Sequence, residues 1–233
     1  MSDDGIRLAK RVAEIVPCSR AEAERYIAGG WVGVDGEVID DPATRVSAGQ
    51  RVELLPGATP DEPPLVTILL HKPAGLHGKG ALDSLQPDTL FQDGQGQRVL
   101  KRHLSNLTPA MPLEAMASGL VVFSQDWRVV RKLTQDSDRI EQEYVAEVTG
   151  AILEDGLARL NAGGTPKAPI KASWQSEARL RFAGKGIAPG QIEALCARVG
   201  LQVTSLRRLR IGRVALSGLP AGQWRYLREI EKF

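Results

Sequence analysis

The chain has 233 residues, with 30 Lys and Arg against 28 Asp and Glu, for a net charge of +2. That length can bury a full core, or one medium and one small core. No stretch approaches the ~18–20 apolar residues of a membrane helix, and the acidic Met1-Ser2-Asp3-Asp4 start is unlike a leader, so a cytoplasmic protein without membrane association is expected. Two distant cysteines, Cys18 and Cys196, suggest neither a disulfide framework nor a zinc site and are expected to be buried apolar residues. Charge is uneven: residues 201–233 hold seven basic and two acidic side chains, whereas the first 56 hold seven basic and ten acidic.

Residues 5–55 read as a compact unit. Ile6, Leu8, Val12, Ile15 and Val16 fall at helical spacing, with Arg7, Lys10 and Arg11 on the other side. Ser19-Arg20-Ala21-Glu22 fits a capping box that opens a second helix, and Gly29-Gly30 stops it. Trp31 to Val34 and Glu37 to Ile39 flank Asp35-Gly36, a dipeptide suited to a two-residue hairpin turn, and Arg51 to Leu55 reads as a further strand. Four prolines between Pro56 and Pro64 mark a semi-extended linker. Further on, strands are expected at Leu65–Leu70, Leu120–Phe123, Tyr144–Val148, Arg179–Phe182 and Leu206–Ile211. Helices are expected at Trp127–Leu133, Gln191–Arg198 and Gln223–Ile230, and the mixed order argues for an α+β domain.

The ordered run Arg7-Leu8, Lys10, Ser19-Arg20, Ala23, Ile27, Gly30 and Val32 to Gly36 resembles the alpha-L RNA-binding module first seen in a small-subunit ribosomal protein. The resemblance implies that Arg7, Lys10, Arg11, Ser19, Arg20 and Arg25 share an RNA-facing surface that reads phosphate position and helix shape. Beyond the linker, four landmarks occur in order: His71-Lys72-Pro73-Ala74-Gly75, Leu113 to Phe123, Glu143-Tyr144-Val145, and Leu206 to Gly212 followed by Leu219 to Arg225. Together they resemble the ribosomal RNA pseudouridine synthases that carry an N-terminal alpha-L module. The organisation implied is an alpha-L-type domain at 1–56, a linker at 57–66, and a mixed, mainly antiparallel synthase-like domain at 67–233.

That family isomerises uridine to pseudouridine without a cofactor. The resemblance implies a flipped-out uridine stacked on a tyrosine, here Tyr144, and attacked by a carboxylate, here Glu114. Two departures stand out. Where the family reads Gly-Arg-Leu-Asp, this chain reads Met111-Pro112-Leu113-Glu114, a carboxylate one methylene longer behind a proline. Where the family has an arginine beside the nucleophile, this chain has Glu193, and Gln142 replaces a common basic residue before the tyrosine strand. A second carboxylate in place of a cation inverts the charge logic of the site. Asp126 or Glu143 would be the nucleophile if the loop were aligned differently.

The expectation is therefore a monomeric protein bound to ribosomal RNA or a ribosome precursor, with isomerisation weakened or lost. The alternative is an active synthase with Glu114 as nucleophile; a scaffold that has abandoned RNA is a third reading, suggested by the acidic first domain. Lys72 is expected to line the cleft, and with Arg207, Arg208, Arg210 and Arg213 to contact RNA. His71, His77 and His103 lack metal-ligand spacing, so no metal is expected. The glycines at 75, 78 and 80 lack a nucleotide-binding pattern.

Overall fold

The computed structural model describes residues 5–92, 94 and 98–233, which divide by their contacts into two units. The first comprises residues 5–65 together with 98–106, and the second comprises the remainder. In the first, β1 (Ile6–Arg7) leads into α1 (Leu8–Ile15) and α2 (Arg20–Ala28). Ser19 Oγ accepts the Glu22 amide while Glu22 accepts the Ser19 amide at 2.7 Å, the capping box read from the sequence. β2 (Val32–Val34) and β3 (Glu37–Ile39) form the expected hairpin, with Asp35 and Gly36 at φ 53° and 88° in the turn. β4 (Arg45–Val46) pairs with β1 and β5 (Val52–Leu54) with β2. Leu8, Val12, Ala23, Ile27, Val32 and Val46 form the core of this unit.

Residues 98–106 belong to this unit although the sequence reading assigned them to the second domain. Lys101 bonds to Asp41 at 2.6 Å and its amide to Asp40 at 2.5 Å. Leu100 packs against Gly30. Sequence periodicity cannot see such a return, because the segment is joined to its unit by contacts more than 50 residues away.

The second unit is built on a nine-stranded sheet. Its elements are β6 (Thr67–Lys72), α3 (Gly78–Asp83), β7 (Thr108–Ala110), β8 (Ser118–Ser124), α4 (Trp127–Gln135), β9 (Glu141–Gly150), α5 (Gly156–Asn161), β10 (Ile170–Ser176), β11 (Arg179–Lys185), α6 (Gln191–Ala197), β12 (Leu201–Ile211), β13 (Val214–Ala215) and β14 (Trp224–Tyr226). Strand order is β10-β11-β9-β12-β8-β6-β14, with β13 on β12 and β7 on β8. Among the named strands of the described residues only β8 and β12 pair in parallel, so the sheet is mixed and mainly antiparallel, as expected of this α+β chain. Leu69, Leu120, Val122, Leu133, Ile211 and Val214 are among its core residues.

One expected helix is absent. Gln223–Ile230 holds β14 instead, where Trp224, Arg225 and Tyr226 pair with Leu70, Leu69 and Ile68. Trp224 is fully buried and its indole N–H donates to the Gln86 carbonyl at 2.8 Å, so a sheet edge and a deep aromatic site override the helical pattern. Of the cysteines, Cys196 is buried as expected, and Cys18 is only half-buried. Among the described residues no helix is long and apolar enough to cross a membrane.

His103 gives the first unit a pH signature. It is 6% exposed, and burial, aided by Arg102 and opposed by Asp40, holds its pKa at about 4. Its Nδ1 accepts the Leu100 amide, so the ring is held neutral. The folded pKa lies below that of the unfolded chain, near 6.5, so between those values the unfolded chain binds a proton that the folded one refuses. Stability falls as pH drops from about 6.5 to about 4, by up to about 3 kcal/mol. Urea unfolding at pH 7 and 4.5 should show this loss in the wild type and a smaller one in His103→Gln.

Candidate active site

A cleft of about 390 Å³ opens in the second unit between the loop before β8, the end of α4, the start of β9 and the turn after β11. Met111, Pro112 and Glu114 form one wall; Gln142, Tyr144 and Arg208 lie on the sheet side; Ile187, Ala188 and Pro189 close the opposite lip. The sequence reading of Glu114 and Tyr144 thus falls on two residues of one cleft. Asp126 and Glu143 do not line it. Asp126 caps α4 and grips Arg128, and Glu143 pairs with Arg181 and Arg210.

The loop that carries Glu114 is held from beneath by two buried cations. Lys72 is 2% exposed, and its ammonium donates to the carbonyls of Pro73, Leu76 and Ala115 at 3.1, 2.7 and 3.1 Å. Gly75 N–H also donates to the Ala115 carbonyl, at 2.7 Å, so the Lys72 loop and the Glu114 loop are tied together. Arg208 is 1% exposed. Its guanidinium donates to the Leu120 carbonyl at 2.8 Å, the Met111 carbonyl at 2.5 Å, Gln142 Oε1 at 3.3 Å and the Tyr144 hydroxyl at 3.4 Å. Both residues were expected to contact RNA. Burial tells against that expectation, because Lys72 donates to three backbone carbonyls and Arg208 to two carbonyls, Gln142 and Tyr144.

Met111 shows what this anchoring accomplishes. Its φ of 51° is unusual for a residue with a side chain, and it precedes a proline, which favours extended backbone. The bond from Arg208 to its carbonyl fixes the strained turn that aims Pro112, Leu113 and Glu114. At the same junction, Gly119 of β8 faces Arg208 of β12 across the parallel pairing of these strands. A Cβ there would lie 2.2 Å from the Arg208 carbonyl oxygen.

Glu114 accepts the Gly190 amide at 2.5 Å, where Gly190 takes φ 75° just before α6. Tyr144 is 5% exposed, its hydroxyl donates to Gln142 Oε1 at 2.8 Å, and its ring lies 5.9 Å from the Arg208 guanidinium carbon. Burial pushes the phenol above its ordinary pKa, with Glu114 and Glu193 adding to the rise and Arg208 opposing it. Burial also lowers the Lys72 pKa, partly offset by Glu114. Glu193 therefore does sit in the field of this site, and its Oε2 is buried without a hydrogen-bond partner among the described residues. The arrangement presents a carboxylate and an aromatic ring in one recess, with the buried Arg208 guanidinium on its sheet side and Lys72 behind the Glu114 loop.

The remaining basic residues sort by partner. Arg7, Lys10 and Arg20 line a concavity of about 510 Å³ in the first unit, joined by Arg45, which the sequence reading missed. Arg45 donates to the Gly5 carbonyl at 2.8 Å; only the pairing of β4 with β1 brings it there. Arg11 pairs with Glu14, Ser19 is engaged as a cap, and Arg25 donates to the Pro60 carbonyl at 3.2 Å. In the second unit Arg207 and Arg213 are exposed, whereas Arg210 is bound by Glu141 and Glu143. Among the described residues no His, Cys, Asp and Glu cluster could hold a metal ion.

Known proteins agree with this architecture. Residues 6–52 match the S4 domain family. The dual-specificity RNA pseudouridine synthase RluF of Escherichia coli K12 is 30% identical over 243 residues, covering 99% of this chain and 78% of that protein. The chain belongs to the RNA pseudouridine synthase family. An uncharacterized RNA pseudouridine synthase of Aquifex aeolicus is 26% identical across 97% of this chain and 94% of its own length. A crystal structure of a pseudouridylate synthase shares the fold at a TM-score of 0.58, with 20% identity and 97% coverage of both chains.

Within this synthase scaffold Gly119 is the most exacting position beneath the cleft. Gly119→Ala should cost about 3 kcal/mol or more, because both φ and the facing backbone refuse a side chain. Thermal unfolding should show a melting temperature lower by roughly 10 °C.

Proposed function

We propose that this protein isomerises uridine to pseudouridine in RNA, ribosomal RNA being the expected substrate, with Glu114 as nucleophile and Tyr144 as the surface against which the uracil packs. The observation that carries this reading is the shared recess of Glu114 and Tyr144, from which the alternative carboxylates Asp126 and Glu143 are absent. The chemistry balances without a co-reactant. A Glu114 carboxylate oxygen bonds to ribose C1′ as the C1′–N1 bond breaks, the uracil turns, and a C1′–C5 bond forms as the C1′–O bond to Glu114 breaks; C5 gives up its proton and N1 gains one.

Each side chain has a task the geometry can support. Gly190 N–H orients the carboxylate. Tyr144, kept protonated by burial, offers a neutral ring to the base and is not a candidate proton acceptor near neutral pH. Arg208 opposes the negative field that Glu114 and Glu193 both exert on Tyr144, and Lys72 lies in the field of Glu114. The concavity formed by Arg7, Lys10, Arg20 and Arg45 supports phosphate binding by the first unit.

A second reading, RNA binding without turnover, draws on Glu193, whose unpartnered carboxylate stands where a cation would be expected, and on the longer Glu114 side chain. Displacement of a reacting atom by ~1 Å can cost about a hundredfold. Nucleoside analysis of ribosomal RNA, free and in ribosomal particles, separates the two. The first reading expects pseudouridine with wild type, loss of at least about 1,000-fold in Glu114→Ala with RNA affinity within a few-fold, and recovery in Glu114→Asp combined with Glu193→Arg. Tight binding by wild type with no product would establish the second.

A further inference from the structure

A second concave surface in the synthase unit lies against the cleft and has no part in the chemistry above. It encloses about 610 Å³ between α4, the turn that follows it, the start of β9 and the Gly212-Arg213 turn. Five cations line it, Arg128, Arg131, Lys132, Arg139 and Arg213, against two carboxylates, Asp136 and Glu141. Arg128 is neutralised by Asp126, and Arg139 stands 3.9 Å from Asp136. Arg131 donates only to the neutral Gln135, and Arg213 is exposed with no carboxylate paired to it among the described residues. Positive charge is therefore left over.

The groove also carries an exposed aromatic. Trp127 is 64% exposed at the first turn of α4, one turn from Arg131 on the same face. The opposite face of the helix is spent on the core, through Val129 and Leu133. An exposed indole flanked by unpaired guanidinium groups suits a nucleic-acid strand, which stacks a base on the ring and lays phosphates on the cations. A protein partner would need an apolar surround, and little is offered beyond the half-buried Phe233 and the buried Ile140.

The position relative to the cleft identifies the strand. Leu133, Thr134, Ser137 and Gln142 face the cleft, while their neighbours Lys132, Asp136, Arg139 and Glu141 face the groove, so one thin wall separates the two. We infer that this groove holds the single-stranded RNA segment adjoining the target uridine, with Trp127 as stacking platform and Arg131 and Arg213 on its phosphates. The inference rests on the proposed RNA substrate, but not on turnover.

The test uses the full-length protein and a fluorescein-labelled 12-nucleotide oligouridylate. Trp127→Ala should weaken binding by about 5- to 100-fold, the range for loss of one stacked base, with Trp127→Phe close to wild type. Arg131→Ala with Arg213→Ala should lower the slope of log affinity against log salt by about 1.4, two single-strand phosphate contacts. All three positions are exposed, so melting temperatures should hold. Unchanged affinity in Trp127→Ala together with an unchanged salt slope would overturn the inference. Absence of pseudouridine from wild-type reactions would remove the proposed activity instead, and weakened oligouridylate binding by Trp127→Ala would still support the groove.

Discussion

The buried guanidinium of Arg208 is the constraint on which the rest of the site depends. A cation this deep is tolerated only if its donors are satisfied, and the four groups that satisfy it are the carbonyls of Met111 and Leu120 and the side chains of Gln142 and Tyr144. These partners come from the Glu114 loop, from β8 and from β9. One side chain on β12 thereby ties together three of the elements that line the cleft. The parallel contact of β8 with β12 is part of the same device, since Gly119 is what lets the backbone of Arg208 approach.

Electrostatically the site is a balance struck by burial. Glu114 and Glu193 bring negative charge into one region; Lys72 and Arg208 answer it from below, with their donors already committed to backbone and neutral side chains. Cations held in this way lend their field without forming an ion pair that the substrate would have to break. Such cations oppose the negative charge that Glu114 and Glu193 both bring near Tyr144, which supports the proposed activity. Burial also sets these two cations apart from exposed basic groups such as Arg7, Lys10 and Arg213.

What could be read without coordinates was local. Ser19 with Glu22, Asp35 with Gly36, and the apolar runs of β6 and β8 each carry their signal within a few residues, and the structure has them as expected. Glu114 and Tyr144 were picked out through family resemblance, as residues near fixed landmarks, and both line the cleft. Interior charge was not: a run such as Leu206 to Ile211 shows Arg207, Arg208 and Arg210 as equals, yet one is exposed, one buried and one ion-paired. Alternation along a strand separates Arg207 from Arg208, but which face is interior depends on β8 and β9. The same holds for β14, whose edge position is set by β6, and for Arg45, whose neighbours in space are 25 to 40 residues away.

The most direct test of the account is substitution of Arg208 by lysine, followed by single-turnover release of tritium from ribosomal RNA labelled at uridine C5. Lysine keeps the charge but cannot span the four acceptors of a planar guanidinium. The account predicts release slowed by about a hundredfold or more, with RNA affinity within a few-fold of wild type. Release at a rate within a few-fold of wild type would contradict it, showing that the nucleophile loop is held by something other than this buried cation.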